Sequence, residues 1–190
     1  EDAPIAPASP YGMSKLVAEQ YLDFYYRQYR LHYTSLRYGN VFGPRQDPHG
    51  EAGVVAIFTQ AMLEGKQPQI FGDGTQQRDF ISVFDVVDAN IAAIDRGDGK
   101  AMNIATGEAT SVNRIFELLR SITGYKWDAL HAPQRTGEVY RISLDWSRAA
   151  EELDWSPKIS LEDGLKLTVD YFRESMISTR NPAGGVASAG

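Results

Sequence analysis

The stretch that decides the fold reads SPYGMSKLVAEQYLDFYYRQYRLHYTSLRYG and covers residues 9–39. Ser9 is a typical helix N-cap and Pro10 suits the first helical position, so a helix is predicted from Pro10 to Arg30. The β-prone run from Tyr33 to Tyr38 then predicts a strand that ends at Gly39. A long helix followed directly by a strand indicates an α/β protein.

The rest of the chain continues this alternation, which predicts the α/β class throughout. Strands are predicted at 69–71, 78–82 and 102–105, and glycines and prolines predict a long loop at 41–53. Further helices are predicted to begin near Val54, Phe84, Ser111, Asp145 and Ser160. The helix near Phe84 carries Phe84, Val87, Ile91 and Ile94 at helical spacing.

Composition is that of an ordinary globular protein and excludes several classes. The chain has 190 residues, 43% hydrophobic and 23% charged, and its net charge of −6 argues against a nucleic-acid surface. Cysteine is absent, which excludes disulfides, and His32, His49 and His131 are too scattered to suggest a metal site. No apolar run approaches the roughly 20 residues of a membrane span and no signal peptide opens the chain. We therefore expect a cytoplasmic protein without a membrane partner.

Tyr11 and Lys15 stand four residues apart in the first turns of the predicted helix, so their side chains share one face. A free phenol has a pKa of about 10, and a neighbouring ammonium favours the phenolate. The pair therefore suits a general base, and the ammonium can also bond a ribose hydroxyl. An ordinary pair of helix-surface residues is the alternative, because the Tyr-x-x-x-Lys pattern is short.

Four motifs, found in order, carry a resemblance that extends from Ser9 to about Arg173. They are SPYGMSK (9–15), LRYGNVFGPRQ (36–46), GDGTQQRDF (72–80) and RTGEV (135–139). Together they resemble the extended short-chain dehydrogenase family of NAD-dependent epimerases and dehydratases. The likeness is greatest to the UDP-glucose 4-epimerase group, in which a segment similar to GEAGVV (50–55) follows the Gly-Pro-Arg-Gln loop.

The resemblance implies a catalytic pair, a cofactor and a fold. Tyr11 would take the proton of the sugar 4-hydroxyl, and Lys15 would hold the nicotinamide ribose and tune the tyrosine. NAD is the implied cofactor, and the residues implied in binding it are Tyr11, Lys15, Tyr38, Gly39 and Val41. The implied fold is the C-terminal part of an NAD-binding Rossmann fold plus a small α/β substrate-binding lobe.

The same resemblance implies a UDP-hexose substrate. The residues implied in binding it are Asn40, Val54, Gln69, Phe71, Arg78, Arg135, Glu138 and Ile142. Arg78 and Arg135 would clamp the diphosphate, because guanidinium groups match phosphate oxygens with paired donors. The alternatives are surface ion pairs for the arginines, a turn residue for Asn40 and ordinary core residues for Phe71 and Ile142.

The implied organisation has three parts. Residues 1–50 would belong to the NAD-binding domain, 51–178 mainly to the nucleotide-sugar lobe with some segments returning to the Rossmann sheet, and 179–190 to a disordered tail. The glycine-rich turn of the family and its sugar-binding Ser/Thr are not in the sequence, so the chain alone is expected to be inactive. The aromatic cluster Phe24, Tyr25, Tyr26 and Tyr29 predicts a homodimer through helix 10–30.

Two alternative functions stay open at this point. The chain could belong to a nucleotide-sugar dehydratase or decarboxylase of the same family, although Gln46 and Asp79 favour the epimerase. It could also be a non-catalytic nucleotide-sugar-binding module with the same fold, although the intact Tyr11 and Lys15 argue against this.

Overall fold

The computed structural model describes residues 1–7, 9–49, 53–134, 137 and 139–180. The helices are α1 (Pro10–Tyr29), α2 (Val54–Leu63), α3 (Val83–Ala92), α4 (Val112–Thr123), α5 (Ser147–Leu153) and α6 (Leu161–Arg180). The strands are β1 (Thr34–Tyr38), β2 (Asn40–Phe42), β3 (Gln69–Phe71), β4 (Gln77–Ser82), β5 (Lys100–Ile104), β6 (Ala109–Ser111) and β7 (Leu130–Ala132). This mixed architecture confirms the predicted α/β class. Within the described part of the chain, no helix combines the length and the apolar character that crossing a membrane would require.

The start and the end of α1 follow from local chemistry. The Ser9 hydroxyl accepts a hydrogen bond from the Gly12 backbone N–H at 3.1 Å, and Pro10 lies in the first turn. The helix ends at Tyr29, one residue earlier than predicted, because Arg30 adopts a left-handed conformation with φ of 58°.

The later helix starts are also close to prediction. Ser111 caps α4 by accepting a hydrogen bond from Arg114 N at 3.1 Å. Ser160 accepts from Asp163 N at 3.1 Å at the start of α6. Asp145 is one residue too early to be the cap of α5, yet its carboxylate still accepts from Ser147 N at 2.8 Å.

The strands form three small sheets. β1 and β5 are parallel, with Thr34 opposite Lys100 and Tyr38 opposite Ile104. β4 lies between β2, which is parallel to it, and β6, which is antiparallel. β3 and β7 form a further parallel pair. The parallel pairs are joined through connections that contain helices, as parallel pairing requires.

β2 corrects the prediction of an uninterrupted loop from residue 41. Asn40, Val41 and Phe42 pair with residues 80–82 of β4. This pairing partner lies about forty positions later in the sequence, so local patterns do not reveal it. β6 and β7, which were not predicted, are three residues each and likewise depend on distant partners.

In the part of the chain that the structure describes, two hydrophobic clusters form the interior. The first lies among α2, α4, α6 and strands β2, β3 and β4, and its buried members are Phe42, Val55, Phe58, Met62, Ile70, Phe80, Val112, Ile115, Phe116, Leu119, Tyr125, Leu165 and Val169. The second lies among β4, β5, α3 and α5, and its buried members are Ile81, Val86, Ala89, Met102, Ile104, Ala149, Leu153 and Trp155. β4 contributes to both clusters and therefore joins them.

The face of α3 that is buried is not the face that its apolar spacing indicates. Val86 and Ala89 are buried against the second cluster. The four residues singled out by their spacing are exposed instead, by 45%, 48%, 61% and 76% for Phe84, Val87, Ile91 and Ile94. Periodicity identifies an apolar stripe, but only packing decides which stripe of a helix meets the core.

α1 and α3 lie on opposite faces of β1. Ser35 and Arg37 of β1 contact Glu19 on α1, whereas the Tyr38 hydroxyl bonds Asn90 on α3. α1 buries none of its own residues within the described chain. Of the predicted aromatic cluster, Phe24, Tyr25 and Tyr29 are open, with exposures of 52%, 45% and 66%, and Tyr21 joins them at 61%. Tyr26 is half-buried instead, with its ring against those of His32 and Tyr33. The division at residue 50 stays a prediction. Residues 179 and 180 of the predicted tail belong to α6, and the rest of it, 181–190, lies outside the described residues.

Candidate functional site

Tyr11 and Lys15 lie together at the start of α1, as their four-residue spacing predicts. The Lys15 Nζ atom lies 5.2 Å from the centre of the Tyr11 ring. Tyr11 is 71% exposed, so its hydroxyl is open to a ligand. The helix therefore presents a phenol and an ammonium side by side at one end.

Glu19, one helical turn after Lys15, attaches α1 to β1. Its carboxylate accepts hydrogen bonds from Arg37 Nε at 2.7 Å, Arg37 Nη2 at 2.5 Å and the Ser35 hydroxyl at 3.2 Å. The hydrogen bond from Arg37 is the main cause that lowers the pKa of Glu19, and the same bond raises the pKa of Arg37. Both groups are therefore charged near neutral pH. Their hydrogen bonds fix the position of α1 along β1.

A cleft of about 510 Å³ lies beside this end of α1. Its walls come from α1, from β1 and β5, from the N-terminal segment and from residues 143–145, and the lining residues are Glu1, Ala3, Pro4, Ile5, Gly12, Lys15, Leu16, Glu19, Arg37, Asn103, Ser143, Leu144 and Asp145. Lys15 thus faces a space large enough for part of a cofactor or a small ligand.

A second group of candidate residues gathers around the start of β4. Ile142 N donates to Gln77 O at 3.2 Å, which places Ile142 beside Arg78. Arg78 Nη1 donates to Gln77 O at 2.8 Å. On the other side, the Gln76 side chain donates to Phe71 O at 2.9 Å. Arg78 and Ile142 are therefore neighbours although they are distant in sequence, and Phe71 is joined to the same segment through the Gln76 side chain.

Asn40 joins this group through the β2–β4 pair, in which it lies opposite Phe80. Gly39 approaches β4 so closely that a Cβ atom there would lie 2.8 Å from the carbonyl oxygen of Asp79. Tyr38 remains 43% exposed while its hydroxyl donates to Asn90 Oδ1 at 3.0 Å. Residues 38–40 therefore lie between the Tyr11–Lys15 pair and the group around β4. Tyr38 is the last residue of β1, and Asn40 is the first residue of β2.

The other candidate residues differ in how deeply they are buried. Val41 packs partly against the second hydrophobic cluster, and Val54, in the first turn of α2, packs partly against the first. In β3, Ile70 is the core residue, whereas Gln69 is exposed and Phe71 is half-buried. Phe71 is thus not a simple core residue. Arg135 and Glu138 lie outside the described residues.

Comparison with known proteins identifies the family. The model of the NAD dependent epimerase/dehydratase family matches residues 1–105, which is more than half of the chain. This chain belongs to the NAD dependent epimerase/dehydratase family. The family match spans α1 with Tyr11 and Lys15, residues 38–41, and β4 with Arg78.

Individual members of the family are similar to nearly the whole chain. The crystal structure of the Thermotoga maritima UDP-glucose 4-epimerase with UDP-glucose has a TM-score of 0.89 and 54% identity, and covers 90% of this chain and 55% of that chain. The Mycolicibacterium smegmatis UDP-glucose 4-epimerase is 44% identical over 91% of this chain and 56% of its own length. The Methanobrevibacter ruminantium UDP-N-acetylglucosamine 4-epimerase, solved with UDP-N-acetylmuramic acid, has a TM-score of 0.88 and 35% identity, and covers 93% of this chain and 57% of that one.

The chain spans little more than half the length of these epimerase relatives, 55% to 57%. The similarity therefore covers nearly all of this chain, including α1 and the group around β4. The rest of each relative has no counterpart in this sequence.

One residue whose role sequence reasoning missed lies in β4, next to Arg78. Asp79 is fully buried, and its carboxylate accepts hydrogen bonds from Thr106 and from the backbone of Gly107 and Leu144. A signal was present, because an acidic residue directly before the apolar pair Phe80-Ile81 in a strand requires buried partners. The sequence does not reveal which partners these are.

Proposed function

We propose that this chain is the C-terminal part of an NAD-dependent 4-epimerase that interconverts UDP-glucose and UDP-galactose. The observation that carries the proposal is the placement of Tyr11 and Lys15 together on one helix face beside a cleft, in a chain 54% identical to a UDP-glucose 4-epimerase. The relatives described above are 4-epimerases. The relatives at 44% and 54% identity are UDP-glucose 4-epimerases, which supports epimerisation over the dehydratase and decarboxylase alternatives. The adjacent Tyr11 and Lys15 support it over the non-catalytic one.

Tyr11 is the proposed general base. Its exposed phenolic oxygen, in the phenolate form, would accept the proton of the sugar 4-hydroxyl and return it after the sugar has turned over. The Lys15 ammonium, 5.2 Å from the ring centre, would stabilise the phenolate and bond a ribose hydroxyl. The hydrogen bonds between Glu19 and Arg37 would hold this helix in its position along β1.

NAD is the proposed cofactor, and the Lys15 side chain, which lines the cleft, would donate hydrogen bonds to its ribose hydroxyls. When bound, NAD supplies a hydride acceptor for carbon 4 of the sugar and gives the hydride back, so the net redox change is zero. Tyr38, Gly39 and Val41 are the other residues proposed to hold it, at the end of β1 and in β2.

The nucleotide sugar would lie against the group around β4. Arg78 would bind the diphosphate, Asn40 a phosphate or sugar oxygen, and Phe71 with Gln69 the uracil. Val54 and Ile142 would line the sugar and phosphate region. Arg135 and Glu138 keep their proposed roles as second diphosphate clamp and ribose ligand, by family resemblance alone.

Turnover is proposed to need more than this chain, which spans 55% of the length of the Thermotoga maritima relative. The open aromatic face of α1 (Tyr21, Phe24, Tyr25 and Tyr29) is proposed to form a homodimer contact.

The decisive experiment is a coupled assay of a full-length protein that contains this chain, with added NAD, on UDP-glucose and on UDP-galactose. Interconversion in both directions is expected. Release of water or of carbon dioxide from a nucleotide sugar, without epimerisation, would indicate a dehydratase or decarboxylase. Binding of UDP without any turnover would indicate the non-catalytic module.

A further inference from the structure

Asp79 is a buried carboxylate that binds three separate segments of the chain. It is 0% exposed. Its Oδ1 atom accepts from Thr106 N at 2.8 Å and from the Thr106 hydroxyl at 2.7 Å. Its Oδ2 atom accepts from Gly107 N at 2.9 Å and from Leu144 N at 3.1 Å. These four donors replace the water that a carboxylate loses on burial.

The bond to Leu144 completes a short pairing along β4. Gln77 N donates to Tyr140 O at 2.8 Å, and Ile142 N donates to Gln77 O at 3.2 Å. Asp79 lies two residues after Gln77, and Leu144 lies two residues after Ile142. At this point the Asp79 side chain, not the β4 backbone, accepts the hydrogen bond from Leu144 N. Residues 140–144 are therefore held to β4 by backbone bonds at one end and by the Asp79 carboxylate at the other.

This segment joins the two parts of the proposed site. In its middle, Ile142 lies beside Arg78. At its end, residues 143–145 line the cleft that Lys15 faces. The Asp79 backbone is also the surface against which Gly39 packs. Asp79 thus adjoins three segments with proposed nucleotide-sugar ligands: β4 with Arg78, residues 39–40 with Asn40, and residues 140–144 with Ile142.

We propose that Asp79 is a positioning residue, which holds residues 140–144 against β4 and thereby places Arg78 and Ile142 for a nucleoside diphosphate sugar. The proposal rests on the proposed function and deepens it, because Asp79 itself touches no ligand. Its effect is exerted through Leu144 and through the Thr106–Gly107 turn.

The chain offers a matched control in Asp85. This second buried carboxylate, 2% exposed, lies in α3 directly after β4. It also accepts backbone N–H groups from a distant segment, those of Lys158 at 3.0 Å and Ile159 at 3.1 Å. That segment carries none of the proposed ligands. A merely structural role for buried aspartates predicts similar effects at both positions.

The test compares Asp79→Asn and Asp85→Asn in the full-length protein with the unsubstituted protein. An amide has only one acceptor, so whichever way it turns, one pair of donors around position 79 loses its partner. We expect Asp79→Asn to weaken UDP binding, measured by calorimetry, and to raise KM for UDP-glucose, each about tenfold, with a smaller change in kcat. Asp85→Asn is expected to leave UDP affinity within about twofold. Equal losses in the two variants, or unchanged UDP affinity in Asp79→Asn, would overturn the proposal.

Amide hydrogen exchange gives a second measurement that needs no ligand. In Asp79→Asn the amides of Ile142 and Leu144 are expected to exchange at least about tenfold faster, whereas in Asp85→Asn those of Lys158 and Ile159 should do so. Unchanged protection of residues 140–144 in Asp79→Asn would refute the positioning role even if no UDP binds. Failure of the unsubstituted protein to bind UDP would instead refute the proposed function.

Thr106→Val covers the case in which Asp79→Asn does not fold. It removes the hydroxyl donor to Asp79 and keeps the branched shape of the side chain. A roughly threefold loss of UDP affinity, with faster exchange in residues 140–144, is expected. Parent-like affinity and exchange would count against the proposal.

Discussion

Arg37 on β1 holds Glu19 on α1 through two charged hydrogen bonds, one helical turn beyond Lys15. The two side chains are only 31% and 24% exposed, so the pair is screened less than a surface ion pair. We expect Glu19→Gln to lower the free energy of unfolding by about 1–2 kcal/mol at neutral pH. Asp23→Asn is the control, since its pair with Arg27 is on the same helix but more exposed, and it should cost less than about 0.5 kcal/mol.

The pH dependence of this effect has a definite sign. The pKa of Glu19 is lowered below its ordinary value of 4.5, chiefly by the Arg37 hydrogen bond. The unfolded chain therefore takes up the proton first, and the stabilisation is complete above pH 4.5 and is lost as the pH falls below that value toward the folded-state pKa. Urea unfolding from about pH 7 to pH 3 should show the gap between parent and Glu19→Gln closing in acid. A constant gap would contradict the assignment.

Gly39→Ala should destabilise the protein, because the new Cβ atom would lie 2.8 Å from Asp79 O in the neighbouring strand. Backbone in a paired strand yields little, so we expect a cost of about 1–3 kcal/mol in thermal or urea unfolding. Gly12→Ala is the matched control. Its nearest neighbour would be Pro7 Cβ at 3.4 Å, and alanine is favoured within a helix by up to about 1 kcal/mol. Parent-like stability of Gly39→Ala would show that β2 can move away from β4.

Tyr11→Phe in the full-length protein should reduce kcat by roughly 10²–10⁴, the range for loss of a general acid or base. Affinity for UDP-glucose should change little, because the ring is retained. Tyr21→Phe removes a hydroxyl from another exposed tyrosine of the same helix and should leave kcat unchanged. Steady-state kinetics of both variants test this, and near-normal turnover of Tyr11→Phe would remove Tyr11 from the mechanism.

Phe24→Glu should shift the protein toward monomer in sedimentation velocity experiments. Phe24 is 52% exposed and its ring contacts those of Tyr25 and Tyr29, so a carboxylate there would be buried in the proposed dimer contact. Phe84→Glu, on the opposite side of β1 and 45% exposed, is the control and should leave the oligomeric state as it was. A dimer that survives Phe24→Glu, or that dissociates equally with Phe84→Glu, would place the interface elsewhere.

Ile142→Ser should widen the range of accepted sugars. Ile142 is partly buried, fixed to β4 through its backbone, and stiff about χ1, so its side chain limits the space beside Arg78. We expect the parent to prefer UDP-glucose and UDP-galactose, and the serine variant to gain about tenfold in kcat/KM on the N-acetylated forms. Ile142→Leu, with similar volume, should gain nothing. If serine gains no more than leucine, Ile142 does not control this choice.

Local chemistry explains most of the elements that were predicted correctly. The caps Ser9 and Ser111 each accept a hydrogen bond from an N–H group three residues away, so their effect depends on adjacent sequence. The same locality explains the failures. β2 depends on Phe80 and its neighbours, and the buried face of α3 depends on Met102 and Ile104 in β5.

For the candidate site, the sequence by itself determined two things. Helical spacing identified Tyr11 and Lys15 as a pair, and four motifs in order identified the family. Only the tertiary structure decided how these residues are assembled. It attaches α1 to β1 through Glu19, brings Ile142 beside Arg78 and buries Asp79 where its four donors converge. The physical reason is distance along the chain. A side chain four residues away is set by helix geometry, whereas partners that are 65 residues apart, such as Asp79 and Leu144, meet only when the cores on both sides of β4 have packed.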